Sequence, residues 1–330
     1  MRPFTYDRAD AVPAALRAAG SGASSYLAGG TTLLDLMKLD VMRPERVVDI
    51  TPLASRLGGI EAGPQGLRLG ALAHMSAVAD DAMVRRDYPV IAESLALAAS
   101  GQLRNMATLG GNVLQRTRCN YFRDVSYAAC NKRRPGSGCS ALDGVTRLHA
   151  VLGTSEHCIA SYPGDFAQAL LALDGTVELE GPQGPRRIPF AELHRLPGDT
   201  PHLETTLAPG ELITGFGVPP LPWARRSVYL KVRDRESYAF AVASAAVALD
   251  LDGGRVREAR IALGGVATRP WRAREAEAVL AGQVLDEAAA QRAAEAAFRD
   301  ARTHGDNDFK PELGRRTLVR ALFQAQRLGA

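Results

Sequence analysis

All four cysteines of this chain lie within 40 consecutive residues, at Cys119, Cys130, Cys139 and Cys158, and the other 290 residues contain none. Unligated structural cysteines usually scatter through hydrophobic cores as small apolar residues. Cysteines that cluster in this way instead indicate a metal site or a set of disulfides. A chain with such a segment must fold around it, so the segment constrains the fold more than any other sequence feature.

The spacing Cys-x10-Cys-x8-Cys-x18-Cys fits neither the compact ferredoxin motif nor paired Cys-x-x-Cys zinc knuckles. A folded loop would have to wrap the metal, and Pro135-Gly136-Ser137-Gly138 permits tight turns before Cys139. Cations stabilise the negative charge of thiolate-bound iron, and basic residues are abundant here: Arg116, Arg118, Arg123, Lys132, Arg133, Arg134 and Arg147. We therefore favour an iron–sulfur cluster, with zinc as the next alternative and two disulfides as the last. His149 and His157 are nearby but are not counted as ligands.

Two glycine pairs offer places where the backbone could approach a ligand. The first, Gly29-Gly30, lies between a predicted strand and a predicted helix and is followed by Thr31 and Thr32. Glycine lets the chain turn tightly with no Cβ against the ligand, and the N-terminus of the following helix attracts phosphate. The second pair lies in Thr108-Leu109-Gly110-Gly111-Asn112. Either pair alone could be an ordinary turn, and neither is the spaced dinucleotide fingerprint, but two on one chain favour a phosphate site.

The remaining pattern mixes short strands and helices. Residues 4–50 predict a β-α-β-α-β unit, residues 59–71 a hairpin, and residues 76–86 and 89–100 helices. Another helix is expected over residues 166–173, with Asp165 as its N-cap. Pro219-Pro220-Leu221-Pro222 then reads as a linker before a second group of strands and helices. We predict an α+β fold with domains over residues 1–222 and 223–330.

Composition argues against several functional classes. A net charge of +4 and an aromatic content of 6% give neither the basic stripe nor the stacking platforms of nucleic-acid binding. No apolar run reaches membrane-spanning length. The first residues, Met-Arg-Pro-Phe-Thr-Tyr, lack the apolar core of a signal peptide. We expect a cytoplasmic location by default, or a periplasmic one if a signal-bearing partner exports the folded complex.

Residues 27–34, 104–112 and 163–174 together resemble the FAD-binding medium subunit of the molybdenum hydroxylases, the group of xanthine dehydrogenase, carbon monoxide dehydrogenase and aldehyde oxidoreductase. The family motif Ala-Gly-Gly-Thr/Ser-Thr-hydrophobic is similar to residues 28–33, and Arg-Asn-x-Ala-Thr-hydrophobic-Gly-Gly-Asn is similar to residues 104–112. Glu211-Leu212-Ile213 and Tyr229-Leu230-Lys231 also match. The resemblance covers essentially the whole chain. It implies a two-part FAD-binding domain of the vanillyl-alcohol-oxidase type, with subdomains at about 1–56 and 57–222, followed by a smaller C-terminal α+β domain of the carbon monoxide dehydrogenase flavoprotein type.

The resemblance also implies roles for individual residues. The FAD pyrophosphate would be bound by the backbone of Leu27, Ala28, Gly29, Gly30, Thr31, Thr32 and Leu33. The ribityl-phosphate region would be cradled by Thr108, Gly110, Gly111 and Asn112. Asp165 would hydrogen-bond the sugar-like chain of the flavin, and Ile213 would line the pocket. Lys231 would lie near the isoalloxazine, although an exposed strand lysine is the plainer interpretation.

One departure from the family pattern is an insertion over about residues 115–160, which separates the Gly-Gly-Asn turn from Asp165. Around residues 130–139 it resembles the insertion of periplasmic aldehyde oxidoreductases of enterobacterial type, whose flavin subunit holds a [4Fe–4S] cluster. The resemblance implies that the four cysteines ligate such a cluster. It also implies two partner subunits, a small one with [2Fe–2S] and a large one with the molybdenum cofactor.

We therefore predict an electron-transfer flavoprotein subunit of a molybdenum-dependent aldehyde oxidoreductase. It would pass electrons from the partner subunits to an external acceptor, with no catalytic residue of its own. One alternative is a self-contained FAD-dependent oxidase with a structural metal loop. Another is a non-catalytic scaffold stabilised by zinc. No NAD fingerprint is visible, so the acceptor stays open.

Overall fold

The computed structural model describes residues 1–20 and 22–328. The chain begins with a small α/β unit that contains the first glycine pair. Its strands are β1 (Thr5–Arg8), β2 (Ser24–Leu27) and β3 (Arg46–Asp49), and its helices are α1 (Val12–Ala19), α2 (Leu33–Lys38) and α3 (Ala54–Leu57). The strands pair in parallel in the order β1-β3-β2. Strand β2 is an edge strand in this order, so the β2–α2 junction lies at the edge of the sheet.

A second unit follows with the hairpin β4 (Ile60–Gly63) and β5 (Gly66–Gly70). Its helices are α4 (Met75–Asp80), α5 (Ala82–Asp87), α6 (Pro89–Ala96), α7 (Gly101–Met106) and α8 (Leu109–Val113). The predicted single helix over residues 76–86 is wrong because the chain breaks at Asp81, whose carboxylate accepts hydrogen bonds from the N–H groups of Met83 and Val84. The second glycine pair lies in the helical turn α8 and not in a loop.

Residues 114–164 carry the cysteines and contain little regular structure beyond the short helix α9 (Asn120–Arg123). The chain then returns to the second unit through α10 (Phe166–Ala172), β6 (Thr176–Gly181), β7 (Gly184–Pro189) and β8 (Leu212–Val218). These strands complete an antiparallel sheet in the order β4-β5-β8-β6-β7. Helix α10 is buried along its whole length, which places residue 165 in the interior at its start.

The C-terminal part is a sheet covered by helices. Its strands are β9 (Ser227–Val232), β10 (Ala243–Asp252), β11 (Arg255–Gly264) and β12 (Trp271–Arg272), paired antiparallel in the order β12-β11-β10-β9. Helices α11 (Arg274–Leu280), α12 (Glu287–Ala297) and α13 (Lys310–Arg327) follow. Helix α13 buries Leu318, Ala321, Leu322 and Ala325, the i, i+3, i+4, i+7 spacing of one helical face.

The mixed helix and strand architecture confirms the predicted fold class. The domain boundary at residues 222 and 223 stays a prediction. Among residues 1–20 and 22–328, no helix has both the length and the apolar character needed to cross a membrane.

Candidate functional site

Both glycine pairs line one cavity of about 250 Å³, which we call the glycine cavity. The predicted residues on its wall are Ala28, Gly29, Gly30, Thr31, Thr32, Leu33, Thr108, Gly110, Gly111 and Ile213. Leu27 ends strand β2 behind this wall and packs against Gly30. Segments about 80 residues apart in sequence therefore meet across one opening.

The local backbone explains why glycine occupies these positions. A Cβ on Gly29 would lie 1.9 Å from the backbone carbonyl oxygen of Met106, so the β2–α2 turn can approach α7 only with glycine there. Gly30 has φ +72°, a conformation that other residues rarely adopt. At Gly111, by contrast, a Cβ would meet only the hydroxyl of Thr108, at 3.3 Å. The first glycine pair is thus required by packing, whereas Gly111 leaves room for a ligand.

Two buried polar atoms beside these glycines lack a hydrogen-bond partner within the described residues, the Thr108 hydroxyl and the Asn112 side-chain oxygen. Buried polar atoms of a native protein are almost always paired, so an unpaired one next to a cavity indicates a ligand partner. Thr108 lines the glycine cavity, and Asn112 lines a neighbouring one. Donors and acceptors of this kind fit the phosphate and sugar hydroxyls of a nucleotide cofactor.

The neighbouring cavity, which we call the wide cavity, measures about 660 Å³ and shares Thr31 and Thr32 with the glycine cavity. Its wall also carries Asn112, Asp165 and Phe240. A continuous ligand could therefore run from one cavity into the other past the two threonines. The combined space has the size of a pocket for a large cofactor, because such pockets measure roughly 300–1,000 Å³.

Asp165 occupies the N-cap position of α10 as predicted, but the expected capping by its side chain is wrong, because the carboxylate makes no hydrogen bond to the first turn of the helix. Its two carboxylate oxygens instead accept hydrogen bonds from the hydroxyl of Tyr229 and the ammonium of Lys231, each at 2.7 Å. Lys231 is only 1% exposed, so the interpretation as an exposed strand lysine is also wrong. Lys231 reaches the wide cavity only through Asp165, because Asp165 and not Lys231 lines its wall.

The buried partners of Asp165 affect how readily its carboxyl ionises at the wall of the wide cavity. Burial raises the pKa of Asp165, and the ammonium of Lys231 and the hydroxyl of Tyr229 oppose that rise. Lys231 also donates to the carbonyl oxygen of Leu97 at 3.1 Å. Because a carboxylate has more lone pairs than the two used here, Asp165 can still accept hydrogen bonds from ligand hydroxyls.

The four cysteines surround a third, small cavity, the cysteine cavity. Cys130 and Cys139 pair across an antiparallel bridge, which the turn between them closes with Gly136 and Gly138 at positive φ. Cys119 immediately precedes α9, and Cys158 ends a turn that begins at Ser155. The side chain of Asn131 donates to the carbonyl oxygen of His157 at 3.0 Å. Because these residues are adjacent in sequence to Cys130 and Cys158, the hydrogen bond holds the second and fourth cysteines near each other.

All four thiols are free, and they lie close enough to affect one another. Burial raises the pKa of Cys119 to about 12, and the thiols of Cys158 and Cys130 add to this, while the N–H groups of Phe122 and Tyr121 oppose it. N–H groups directed at sulfur are the hydrogen bonds that tune iron–sulfur centres. Over the described residues, however, no group of three or more His, Cys, Asp or Glu side chains is arranged to hold a metal ion.

The basic residues near the cysteines have several different partners, and their role in stabilising a cluster stays a prediction. Arg118 and Arg123 pair with Asp35 at the wide cavity, at 3.2 and 2.8 Å. Arg133 donates to the backbone carbonyls of residues 121, 122, 124 and 127 and so stiffens the loop around α9. Lys132 is the basic residue on the wall of the cysteine cavity itself. Charge density along the sequence did not reveal these different partners.

His149 was set aside at the sequence level, yet its Nε2 lies 3.2 Å from the Sγ of Cys119. Other cavity residues were also missed: Ser25, Tyr26, Ile50, Leu72 and Arg116 in the glycine cavity, and Tyr238 and Phe240 in the wide cavity. Several come from strands or loops with no motif, so only three-dimensional proximity identifies them. For His149, burial lowers the pKa to about 4, so the imidazole is a neutral neighbour of the Cys119 thiol.

Comparison with known proteins gives concordant matches over the whole chain. The family model "FAD binding domain in molybdopterin dehydrogenase" matches residues 2–221, and "CO dehydrogenase flavoprotein C-terminal domain" matches residues 228–326. The aldehyde oxidoreductase FAD-binding subunit PaoB of Escherichia coli K12 is 46% identical over 329 residues, which cover 99% of each chain. The carbon monoxide dehydrogenase medium chain of Afipia carboxidovorans is 29% identical and covers 91% of this chain and 88% of its own.

Solved structures agree with these sequence matches. A carbon monoxide dehydrogenase chain from Hydrogenophaga pseudoflava, from an enzyme that lacks the Mo-pyranopterin moiety of its molybdenum cofactor, superposes with a TM-score of 0.77 at 27% identity. The match covers 100% of this chain and 99% of that one. The protein therefore belongs to the family of FAD-binding medium subunits of the molybdenum hydroxylases.

Proposed function

We propose that this chain is the FAD and [4Fe–4S] electron-transfer subunit of a molybdenum-dependent aldehyde oxidoreductase. The observation that carries the proposal is the arrangement of three cavities: two joined at Thr31 and Thr32, and a third lined by all four cysteines. Similarity to an aldehyde oxidoreductase subunit over 99% of both chains supports the reaction class. FAD and the cluster would supply the redox chemistry, and the chain supplies binding sites, charges and spacing.

In this proposal FAD spans the glycine and wide cavities. Thr108 and the two glycine turns would hold the pyrophosphate, where close backbone approach is possible. Asn112 and Asp165 would hold hydroxyls of the ribityl chain, since both line the wide cavity. The isoalloxazine would also lie in the wide cavity, whose wall includes Arg118 and Phe240. Lys231 would act through Asp165, by keeping that carboxylate ionised.

The four cysteines would hold the cluster. A single tetrahedral zinc ion needs all four sulfurs about 2.3 Å from one point, and the described side chains are not arranged for a single ion. A four-iron cluster spreads its four ligands over a larger core, so it suits four cysteines that line a common cavity. Burial of the thiolate charge raises the pKa of Cys119 and Cys158. Binding of these thiolates to iron would offset that cost.

The partners in this proposal are a small [2Fe–2S] subunit and a large molybdenum-cofactor subunit. Aldehyde would be oxidised in the large subunit, and this chain would transmit the electrons to an external acceptor. Full-length similarity to medium chains of carbon monoxide dehydrogenases supports an assembly of this kind. A self-contained oxidase would instead turn over substrate without the other subunits.

The experiment is anaerobic co-expression with the small and large partner subunits, followed by measurement of the iron, FAD and molybdenum content of the purified complex. We expect one FAD and, beyond the iron of the small subunit, four irons per copy of this chain. Cys130→Ser should lower the iron content while FAD is retained, because Cys130 lines only the cysteine cavity among the three cavities described here. Val145→Ser is the matched control, since Val145 lies in the same segment but is 69% exposed. Unchanged iron in Cys130→Ser, or wild-type protein without iron or flavin, would refute the proposal.

A further inference from the structure

One partly buried carboxylate, Glu204, contacts a cation at each of two cavities. Its Oε2 lies 2.7 Å from Nε of Arg116, and its Oε1 lies 2.7 Å from Nζ of Lys132. Arg116 lines the glycine cavity, and Lys132 lines the cysteine cavity. Neither family motif contains Glu204, and the residue lies 46 positions beyond the last cysteine.

Each of the two cations contacts Glu204 and one further group. The side chains of Arg116, Lys132 and Glu204 are 21%, 11% and 25% exposed, so solvent screens their attraction only partly. Arg116 also lies over the ring of Phe122, 4.6 Å from its centroid, and Phe122 packs with Cys130. Lys132 donates a second hydrogen bond to the carbonyl oxygen of Pro201 at 3.0 Å.

Charge balance explains why a carboxylate is needed there. Burial disfavours the charged form of Glu204, but Lys132 and Arg116 together outweigh it and hold the pKa of this carboxyl below its ordinary value. Lys132 in turn lies on the wall of the cysteine cavity together with Cys158. The charge of Glu204 is therefore felt at both cavities.

We infer that Glu204 is a positioning residue that couples the flavin site to the cluster site, by holding Arg116 at one and Lys132 at the other with a single negative charge. This inference rests on the proposed function, since it requires a cluster at the four cysteines. A reduced cluster carries one more negative charge than an oxidised one. Removal of a nearby carboxylate charge should therefore favour the reduced state and raise the potential.

The test uses the purified complex and compares Glu204→Gln with the wild type in redox titrations of the cluster, by electron paramagnetic resonance, and of the flavin, by absorbance. One elementary charge acting over about 10 Å at an effective dielectric constant of about 20 changes an equilibrium constant roughly tenfold. We expect a shift of that size toward the reduced cluster, about 59 mV for a one-electron couple, and a flavin shift of the same sign. Lys132→Met should shift the cluster the opposite way, because it removes a positive charge.

Two further variants separate coupling from general damage. Glu204→Asp keeps the charge and should restore wild-type potentials to within about twofold in the equilibrium constant. Glu178→Gln is the matched control, because Glu178 also bridges two arginines, Arg68 and Arg187, each at 2.9 Å, but lines none of the three cavities. Loss of iron or FAD in Glu204→Gln with recovery in Glu204→Asp would also support the inference.

The outcomes that overturn the inference differ from those that overturn the proposed function. Cluster and flavin potentials in Glu204→Gln and Lys132→Met that equal those of Glu178→Gln, in complexes that contain iron, would overturn the coupling alone. A wild-type complex with no iron beyond that of the small subunit would overturn both. If Glu204→Gln fails to assemble, the sign of the shift in Lys132→Met decides.

Discussion

Replacement of Lys231 by methionine tests the buried ion pair at the wide cavity. The ammonium of Lys231 lies 2.7 Å from Asp165, with the two side chains 1% and 4% exposed. Removing one partner of such a pair leaves a buried charge without compensation, which costs about 3–5 kcal/mol. We therefore expect Lys231→Met to destabilise the fold by about 3 kcal/mol or more at neutral pH.

The defect should depend on pH in a defined direction. Burial already raises the pKa of Asp165, and the ammonium of Lys231 opposes that rise, so its loss raises the pKa further. A carboxyl with a raised pKa in the folded state binds a proton more readily folded than unfolded. Its stability contribution is then full below the unfolded pKa of about 3.9 and is lost as pH rises through the folded value. The difference between variant and wild type should accordingly be smaller at pH 5 than at pH 8.

The assay is pulse proteolysis of this subunit in the purified complex after equilibration in urea with saturating FAD, which reports the folded fraction of the chain. A double-mutant cycle with Asp165→Asn isolates the pair. We expect a coupling energy of about 2 kcal/mol or more. Arg257→Met is the control, because Arg257 pairs with Asp252 at the same 2.7 Å but in solvent, and its urea midpoint should not change. Additivity of the two single variants within about 0.5 kcal/mol would refute the reasoning.

Three other substitutions have distinct expected outcomes. Gly111→Val should lower the FAD content with little loss of folding, because a Cβ at Gly111 meets only Thr108. The control is Gly63→Val, since Gly63 has open space around it. Full FAD content in Gly111→Val would count against the glycine cavity as the FAD site. Gly29→Ala should prevent folding of the first unit, since its Cβ would lie 1.9 Å from a backbone oxygen, and a wild-type urea midpoint would contradict this packing. Burial lowers the pKa of Lys310 to about 7, so between about pH 7 and pH 10 this lysine binds fewer protons in the folded state than in the unfolded state, and the free energy of unfolding should rise with pH. Lys310→Met should reduce the slope of that rise by up to about 1.4 kcal/mol per pH unit. An unchanged slope would show that Lys310 does not titrate in this range.

Features set by local backbone geometry could be predicted from the sequence. Residues close together in the chain determine the β2–α2 turn and the C-terminal strands and helices. The clustering of the cysteines is likewise visible along the chain. The break at Asp81 was also predictable, because an aspartate that caps the following helix is a local signal. These elements follow from short-range steric and hydrogen-bonding rules.

Side-chain partners could not be predicted in the same way. Asp165 and Lys231 are 66 residues apart, and Arg116 and Glu204 are 88 apart, so each pair exists only because distant elements pack together. From sequence, Asp165 matched the pattern of a helix cap, which is a local role. Helix α10 packs against β10 and β11, and β9 pairs with β10. This tertiary packing gave the carboxylate stronger partners on β9, Tyr229 and Lys231, and so overrode the local preference.

The cysteine segment is attached at both ends to packed structure, which bears on what iron removal would do. Near its end, Tyr162 donates to the carbonyl oxygen of Val113, the residue that precedes its start at the end of α8, at 2.9 Å. In its second half, His149 accepts a hydrogen bond through its carbonyl oxygen from the buried ammonium of Lys310 at 2.9 Å, and Lys310 also donates to the carbonyl oxygen of Gly265 at 2.7 Å. These hydrogen bonds involve no cysteine. Because these contacts hold the segment independently of the cysteine side chains, Cys130→Ser should lose iron without losing the flavin site.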